Sequence, residues 1–153
     1  MENEIIEKLN VSNIDELYDL LLELADHHNL VSKHFKGKYP SKPIAEIIAE
    51  IKDKVNNRTA QVDIIRMNKI IIALAIYNVG NLEYLIISKN YRNKGYGQIL
   101  MDNVMAYFTK KNVKRIEIRV VHENNVAMKF YKHYGFQTQS EIMALYLSND
   151  VKE

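Results

Sequence analysis

The chain has 153 residues, 47% of them hydrophobic, enough to fill one core without a disulfide or a metal, so a single domain over residues 1–153 is expected. Charged residues make up 26% and the formal net charge is only +2, which lacks the basic excess of a nucleic-acid binder. There is no cysteine, which excludes disulfides, thiolate metal sites and any acyl-cysteine intermediate. The acidic start Met1-Glu2-Asn3-Glu4 and the lack of a membrane-length apolar run lead to the expectation of a cytoplasmic protein with no membrane partner.

Glu4 to Leu9 reads as a short first strand. Asn13 with Glu16 three residues later resembles a capping box opening a helix with Ile14, Leu17, Leu21 and Leu24 on one face. A loop is expected from His27 to Ser41, and Ser41 with Pro43 opens a second helix whose Ile44, Ile47, Ile48 and Ile51 repeat at helical spacing. From Thr59 the pattern turns to strands: Ala60 to Arg66 and Ile70 to Tyr77 joined by Met67-Asn68-Lys69, then Leu82 to Ile87 after the polar turn Asn78 to Asn81.

A helix begins near Gly97 and presents Leu100, Val104, Tyr107 and Phe108 inward, and Arg115 to Val121 alternates as a strand. Strand, helix, strand implies a right-handed parallel crossover. Asn124 stands at the cap of a last helix with the apolar stripe Val126, Ala127, Phe130, Tyr131 and Tyr134, Gly135 ends it, and Gln137 to Leu147 reads as a closing strand. The expected fold class is α+β: a mixed, largely antiparallel sheet with one parallel crossover and helices on both faces.

Gly95 and Gly97 lie between a strand and a helix, where free N–H groups and the helix dipole make a cradle for an anion, with Arg92 and Lys94 beside it. Leu100 stands three residues after Gly97, so the dinucleotide fingerprint is incomplete, and no Gly-Lys-Ser/Thr follows for a nucleotide P-loop. By themselves these residues give an anion cradle on a helix start.

Leu85-Ile86-Ile87-Ser88-Lys89-Asn90-Tyr91-Arg92-Asn93-Lys94-Gly95-Tyr96-Gly97 resembles the acetyl-CoA signature of the GCN5-related N-acetyltransferases. Further on, Asn124 to Phe136 resembles the family's Asn-x-x-Ala-x-x-Φ-Tyr-x-x-x-Gly-Phe segment, Φ being apolar. The departures are Lys89, where proline is common, and Asn93, where glycine is common. The resemblance implies a strand pair splayed around acetyl-CoA as cosubstrate. Main-chain groups of Leu85 and Ile87 would then hold the pantetheine arm, the amides of Arg92, Asn93, Lys94, Gly95, Tyr96 and Gly97 the pyrophosphate, and Asn124 would bond coenzyme A.

An amine with pKa near ~10 must lose a proton to attack a thioester at neutral pH. The resemblance puts Glu83 first as base and matches Tyr131 to the family's general-acid tyrosine; Glu117, on the neighbouring strand, and His122, just past its end where ligands meet parallel strands, stand behind Glu83 as base. It implies an N-acetyltransferase acting on a primary amine of a small molecule; the alternatives are a protein or peptide acceptor, or a coenzyme A sensor without turnover. The first helices and their loop, with His27, His28, His34, Lys33, Lys36, Lys38 and Tyr39, would set the acceptor. The histidines lack zinc-enzyme spacing, so no metal is expected. Ile142 to Leu147, apolar on both faces, raises a homodimer as an expectation.

Overall fold

The computed structural model describes residues 5–147. Five strands form one sheet in sequence order: β1 Ile6–Lys8, β2 Gln61–Met67, β3 Ile70–Asn78, β4 Asn81–Ile87 and β5 Glu117–Ile118. The first four are antiparallel neighbours, and β4 and β5 are parallel. The β2–β3 turn holds Asn68 and Lys69 at φ 51° and 68°, the left-handed pair that matches strand twist. The expected α+β architecture is the one observed.

Four α-helices complete the fold: α1 Tyr18–Val31, α2 Ile44–Asn56, α3 Tyr96–Lys110 and α4 Asn125–His133. Leu20, Leu21, Ile47, Ile48 and Ile51 of α1 and α2 pack on one sheet face with Ile64, Leu74 and Ile86. Leu100, Met101, Val104 and Phe108 of α3 pack on the other with Ile65, Ala73, Tyr77 and Leu82, and Phe130 and Tyr131 of α4 join them. Alternation along the strands divides these two sets, so each buried strand is apolar on both faces.

Several expectations are corrected. Glu4 lies outside the described residues, and the first strand is Ile6–Lys8. The Asn13 capping box does not form, because Val11–Leu17 is a 3-10 turn and α1 follows it through Val31, turning His27 to Val31 from loop into helix. Ser41 caps nothing, since Pro43 holds the N-cap position of α2.

The strand expected over Arg115 to Val121 pairs only at Glu117 and Ile118, because β4 and the chain after Ile118 part. Gln137 to Leu147 forms no strand. Ile142, Met143, Leu145 and Leu147 are instead 81–94% exposed, their apolar pattern having no sheet partner among the described residues.

Candidate active site

The site begins with a defect in β4. Tyr77 faces Leu82 while Ile76 faces Tyr84, so Glu83 is an extra residue, a β-bulge. The bulge sets consecutive side chains, Glu83 and Tyr84, toward α1 and α2, where Tyr84 packs on their core and Glu83 meets Lys54 of α2 at 2.9 Å. Beyond it alternation resumes. The Ser88 N–H donates to Ile72 O at 2.8 Å, so Ile86, two residues earlier and opposite Leu74, also turns its main-chain groups to β3. Leu85 and Ile87 therefore turn theirs the other way.

That direction is a gap. Pairing of β4 with β5 stops at Leu82–Ile118, leaving Glu83–Ile87 apart from the chain beyond Ile118. The carbonyl of Ile87 already accepts from Arg92 Nε at 3.0 Å. The N–H of Ile87 and both groups of Leu85 face the opening.

At the end of β4 the chain makes a 3-10 turn over Lys89–Tyr91 and then enters α3 through Gly95. Asn93 at φ 61° and Gly95 at φ 88° are both left-handed, which folds successive amides into one concavity. Asparagine tolerates this region, so Asn93 keeps the backbone that glycine would adopt. Among the described residues none of the N–H groups from Asn93 to Gln98 donates to a protein acceptor, and the first hydrogen bond of α3 runs from Ile99 N–H to Gly95 O. Lys94 lies with its ammonium 5.6 Å from the Tyr91 ring.

Gly97 joins this turn to the neighbouring elements. A Cβ there would stand 3.6 Å from Ile87 Cγ1 and 3.7 Å from Phe130 Cζ, so the end of β4, the start of α3 and α4 converge on one point. Next to Phe130, the Tyr131 ring packs edge-on against Phe130 and Phe136 at 5.5 and 5.8 Å. Burial pushes its phenol up to about 12. Its hydroxyl makes no hydrogen bond among the described residues. Asn124 is buried at the N-cap of α4, the position expected for it, though its side chain makes no cap hydrogen bond.

The sequence model of a family described as "Acetyltransferase (GNAT) family" matches residues 14–136. The chain belongs to that family. It is an acyltransferase with acetyl-CoA as cosubstrate. The fold is also that of a tetramutant of the BH1408 protein from Bacillus halodurans, at TM-score 0.74 and 19% identity over 94% of this chain and 99% of that one. It is similar as well to AAC(6')-Iy in complex with the bisubstrate analog CoA-S-monomethyl-acetylneamine (TM-score 0.69, 15% identity, 94% and 97% covered). A third is the ribosomal-protein-alanine N-acetyltransferase from Brucella melitensis biovar Abortus 2308 (0.64, 12%, 93% and 99%).

Within this GNAT chain the structure turns Leu85 and Ile87 to the gap, sets Arg92 to Gly97 beyond the end of β4, packs Tyr131 on Phe130, which approaches Gly97, and leaves Glu83 at the bulge. Glu117 lies where the strands still pair and is exposed beside Arg115 at 3.0 Å, and His122 is exposed.

Glu23 escaped the sequence reading. From α1 its carboxylate accepts from Ser88 Oγ at 3.0 Å and from the Lys89 N–H, and it lies 4.0 Å from Arg92 Nη2. No local pattern marks it, since its partners are more than sixty residues away.

The α1–α2 connection closes over the same region. The Lys33 N–H donates to Glu123 Oε1 at 3.0 Å, tying that connection to the segment between β5 and α4. Asn29 Oδ1 accepts from the N–H groups of Gly37 and Tyr39, and its Nδ2 donates to Tyr39 O. His28 is half-buried against Tyr39, and burial first, then the His27 charge, lowers its imidazole to about 4. No helix among the described residues is long and apolar enough to cross a membrane, and no group of metal-ligating side chains assembles among them.

Proposed function

We propose that this GNAT chain moves the acetyl group of acetyl-CoA directly to the primary amine of a small molecule. The observation that carries the reading is the row of uncommitted amides from Asn93 to Gln98 at the start of α3, in line with the gap-facing main chain of Leu85 and Ile87. A pyrophosphate on those amides gains the dipole of α3 and the charge of Lys94. The pantetheine arm then runs along β4 as an added strand, bonding Leu85 and the Ile87 N–H. Glu23 is a positioning residue: it holds Ser88, Lys89 and Arg92 so that the amides meet the phosphates.

Four residues at ~3.3 Å each put the thioester end about 13 Å from Ile87, beside the bulge at Glu83. The amine nitrogen attacks the carbonyl carbon, the oxyanion is held by a β4 N–H, and the C–S bond breaks as the amide forms. The nitrogen's proton leaves through water to Glu83, whose carboxylate also accepts from Lys54 Nζ. Tyr131, protonated throughout the neutral range, hydrogen-bonds the departing sulfur. A phenol near 12 is a weaker acid than a thiol near ~8.5, so Tyr131 keeps its proton and stabilises the leaving thiolate as a hydrogen-bond donor, and the thiolate takes its proton from water.

The Lys33–Glu123 tie favours a small acceptor, because it shortens the opening that an extended peptide would need. The deciding experiment is thiol release from acetyl-CoA with a panel of amines and short peptides, alongside calorimetric CoA binding. Turnover of small amines supports the reading. Turnover restricted to peptides replaces the acceptor class, and CoA binding without any turnover replaces enzyme with sensor.

A further inference from the structure

Between Asp26 and Glu46 the chain carries four lysines, three histidines and no carboxylate. The structure sets this basic segment across the gap on the face opposite the cofactor elements. At its start Lys33 meets Glu123 beyond β5, with the ammonium 3.9 Å from the carboxylate, and at its end the Lys42 charge acts on the Tyr84 phenol of β4, next to Glu83. The cradle side chains Tyr91, Tyr96, Phe130 and Tyr131 belong to the α3 and α4 face, whereas Tyr84 belongs to the α1 and α2 face. An acceptor that approaches from the free side passes this segment.

The cations around that approach are unequal. Lys33 is paired with Glu123, Lys42 with Glu50 and Lys54 with Glu83. Lys36 donates to the carbonyls of Asn29 and Leu30 at the end of α1, whose dipole takes up part of its charge, and it has no carboxylate partner among the described residues. Lys38 lies 4.1 Å over the Tyr146 ring, again with no carboxylate partner among the described residues, and Phe35 lies tilted against the same ring at 5.9 Å. His28 stays neutral at pH 7 and adds no charge.

Resting on the acetyltransferase reading above, we infer that the acceptor is a primary amine that also carries an anionic group, a carboxylate or a phosphate, drawn in by Lys38 and Lys36. A carboxylate or phosphate satisfies two donors that have no acidic partner among the described residues, whereas a polycation brings like charges against them. The same residues therefore disfavour polyamines and aminoglycosides.

The test is thiol release with matched acceptors: β-alanine against its amide, phosphoethanolamine against ethanolamine, and spermidine and kanamycin as polycations, with CoA binding measured on the same preparation. The anionic member of at least one pair is expected to exceed its neutral counterpart about tenfold in kcat/KM, and the two pairs distinguish carboxylate from phosphate. Lys38→Gln should lower that value three- to tenfold while the neutral acceptor and the KM for acetyl-CoA stay unchanged, and Lys38→Arg should restore it. Preference for a neutral or polycationic acceptor overturns the inference, as does equal loss for both members or no turnover of any anionic amine by protein that binds CoA. Protein that binds no CoA overturns the acetyltransferase reading and this inference together.

Discussion

Replacing Glu23 with alanine isolates the contact by which α1 steadies the cofactor turn. Alanine is the best helix former, so α1 itself is not weakened. What disappears is a charged acceptor for Ser88 Oγ and the Lys89 N–H, and the partner 4.0 Å from Arg92. Hydrogen bonds to a charged group contribute about 1.5–3 kcal/mol each, but this carboxylate is 31% exposed, so water replaces part of the loss. A net of about 2 kcal/mol spent on ordering the turn corresponds to roughly thirtyfold in affinity. Calorimetry should show CoA binding weakened about ten- to thirtyfold, with KM for acetyl-CoA rising in parallel and saturated kcat changing less than twofold. Glu23→Gln keeps an acceptor oxygen and should recover part of the affinity. An unchanged CoA affinity with only a lower melting temperature refutes the positioning role.

Tyr131→Phe should keep CoA affinity and lower turnover tenfold or more, measured as thiol release at saturating acetyl-CoA. Glu83→Gln should displace the pH profile of kcat/KM; an identical profile would remove Glu83 from the proton path. Gly95→Ala meets no atom within 4 Å of the new methyl, so its cost is the left-handed backbone alone, about 1 kcal/mol, or a few degrees of melting temperature, with Gly95→Asn milder. His28, with its folded pKa near 4 against an ordinary 6.5, contributes stability that is complete above pH 6.5 and lost as pH falls toward 4. The shift bounds that loss at about 3 kcal/mol, which solvent at the half-buried ring reduces to about 1–2. Melts of wild type and His28→Gln at pH 5 and 7 should show the variant losing less on acidification.

The sheet order and the cradle were legible because both are written in short-range patterns. Alternation marks β2 to β4, and Gly95 and Gly97 mark the start of α3 within a residue. Asn93 shows how a departure from a motif is absorbed, since its left-handed backbone preserves the concavity. What escaped depends on distant partners. Arg115 to Val121 alternates like a full strand, yet the parting from β4 leaves only two of its residues paired. Gln137 to Leu147 has strand composition and no strand to join. Glu23 sits on a helix face like any other acidic residue until folding brings Ser88 and Lys89 to it. The bulge at Glu83 is likewise a matter of register between strands, which a single strand's pattern does not contain.

That bulge links the two halves of the site. In a regular β4, Tyr84 would turn with Leu82 toward α3; the extra residue holds Glu83 and Tyr84 together on the α1 and α2 face and lets Leu85 and Ile87 resume toward the other. Beyond the same point β4 loses its pairing with β5, so the strand keeps one hydrogen-bonding edge on β3 and offers the other to the gap. One register defect thus does two things: it turns a carboxylate toward the α1 and α2 face, the side proposed for the acceptor, and it accompanies the freeing of main-chain groups proposed to bond the pantetheine arm. Deleting Glu83 would restore regular pairing, with Leu82 still opposite Tyr77, Tyr84 still opposite Ile76 and no side chain changing face, and would remove the carboxylate itself. The proposed site is therefore a property of where the sheet fails to close, and the incomplete β5 pairing leaves the gap in which the cosubstrate is proposed to lie.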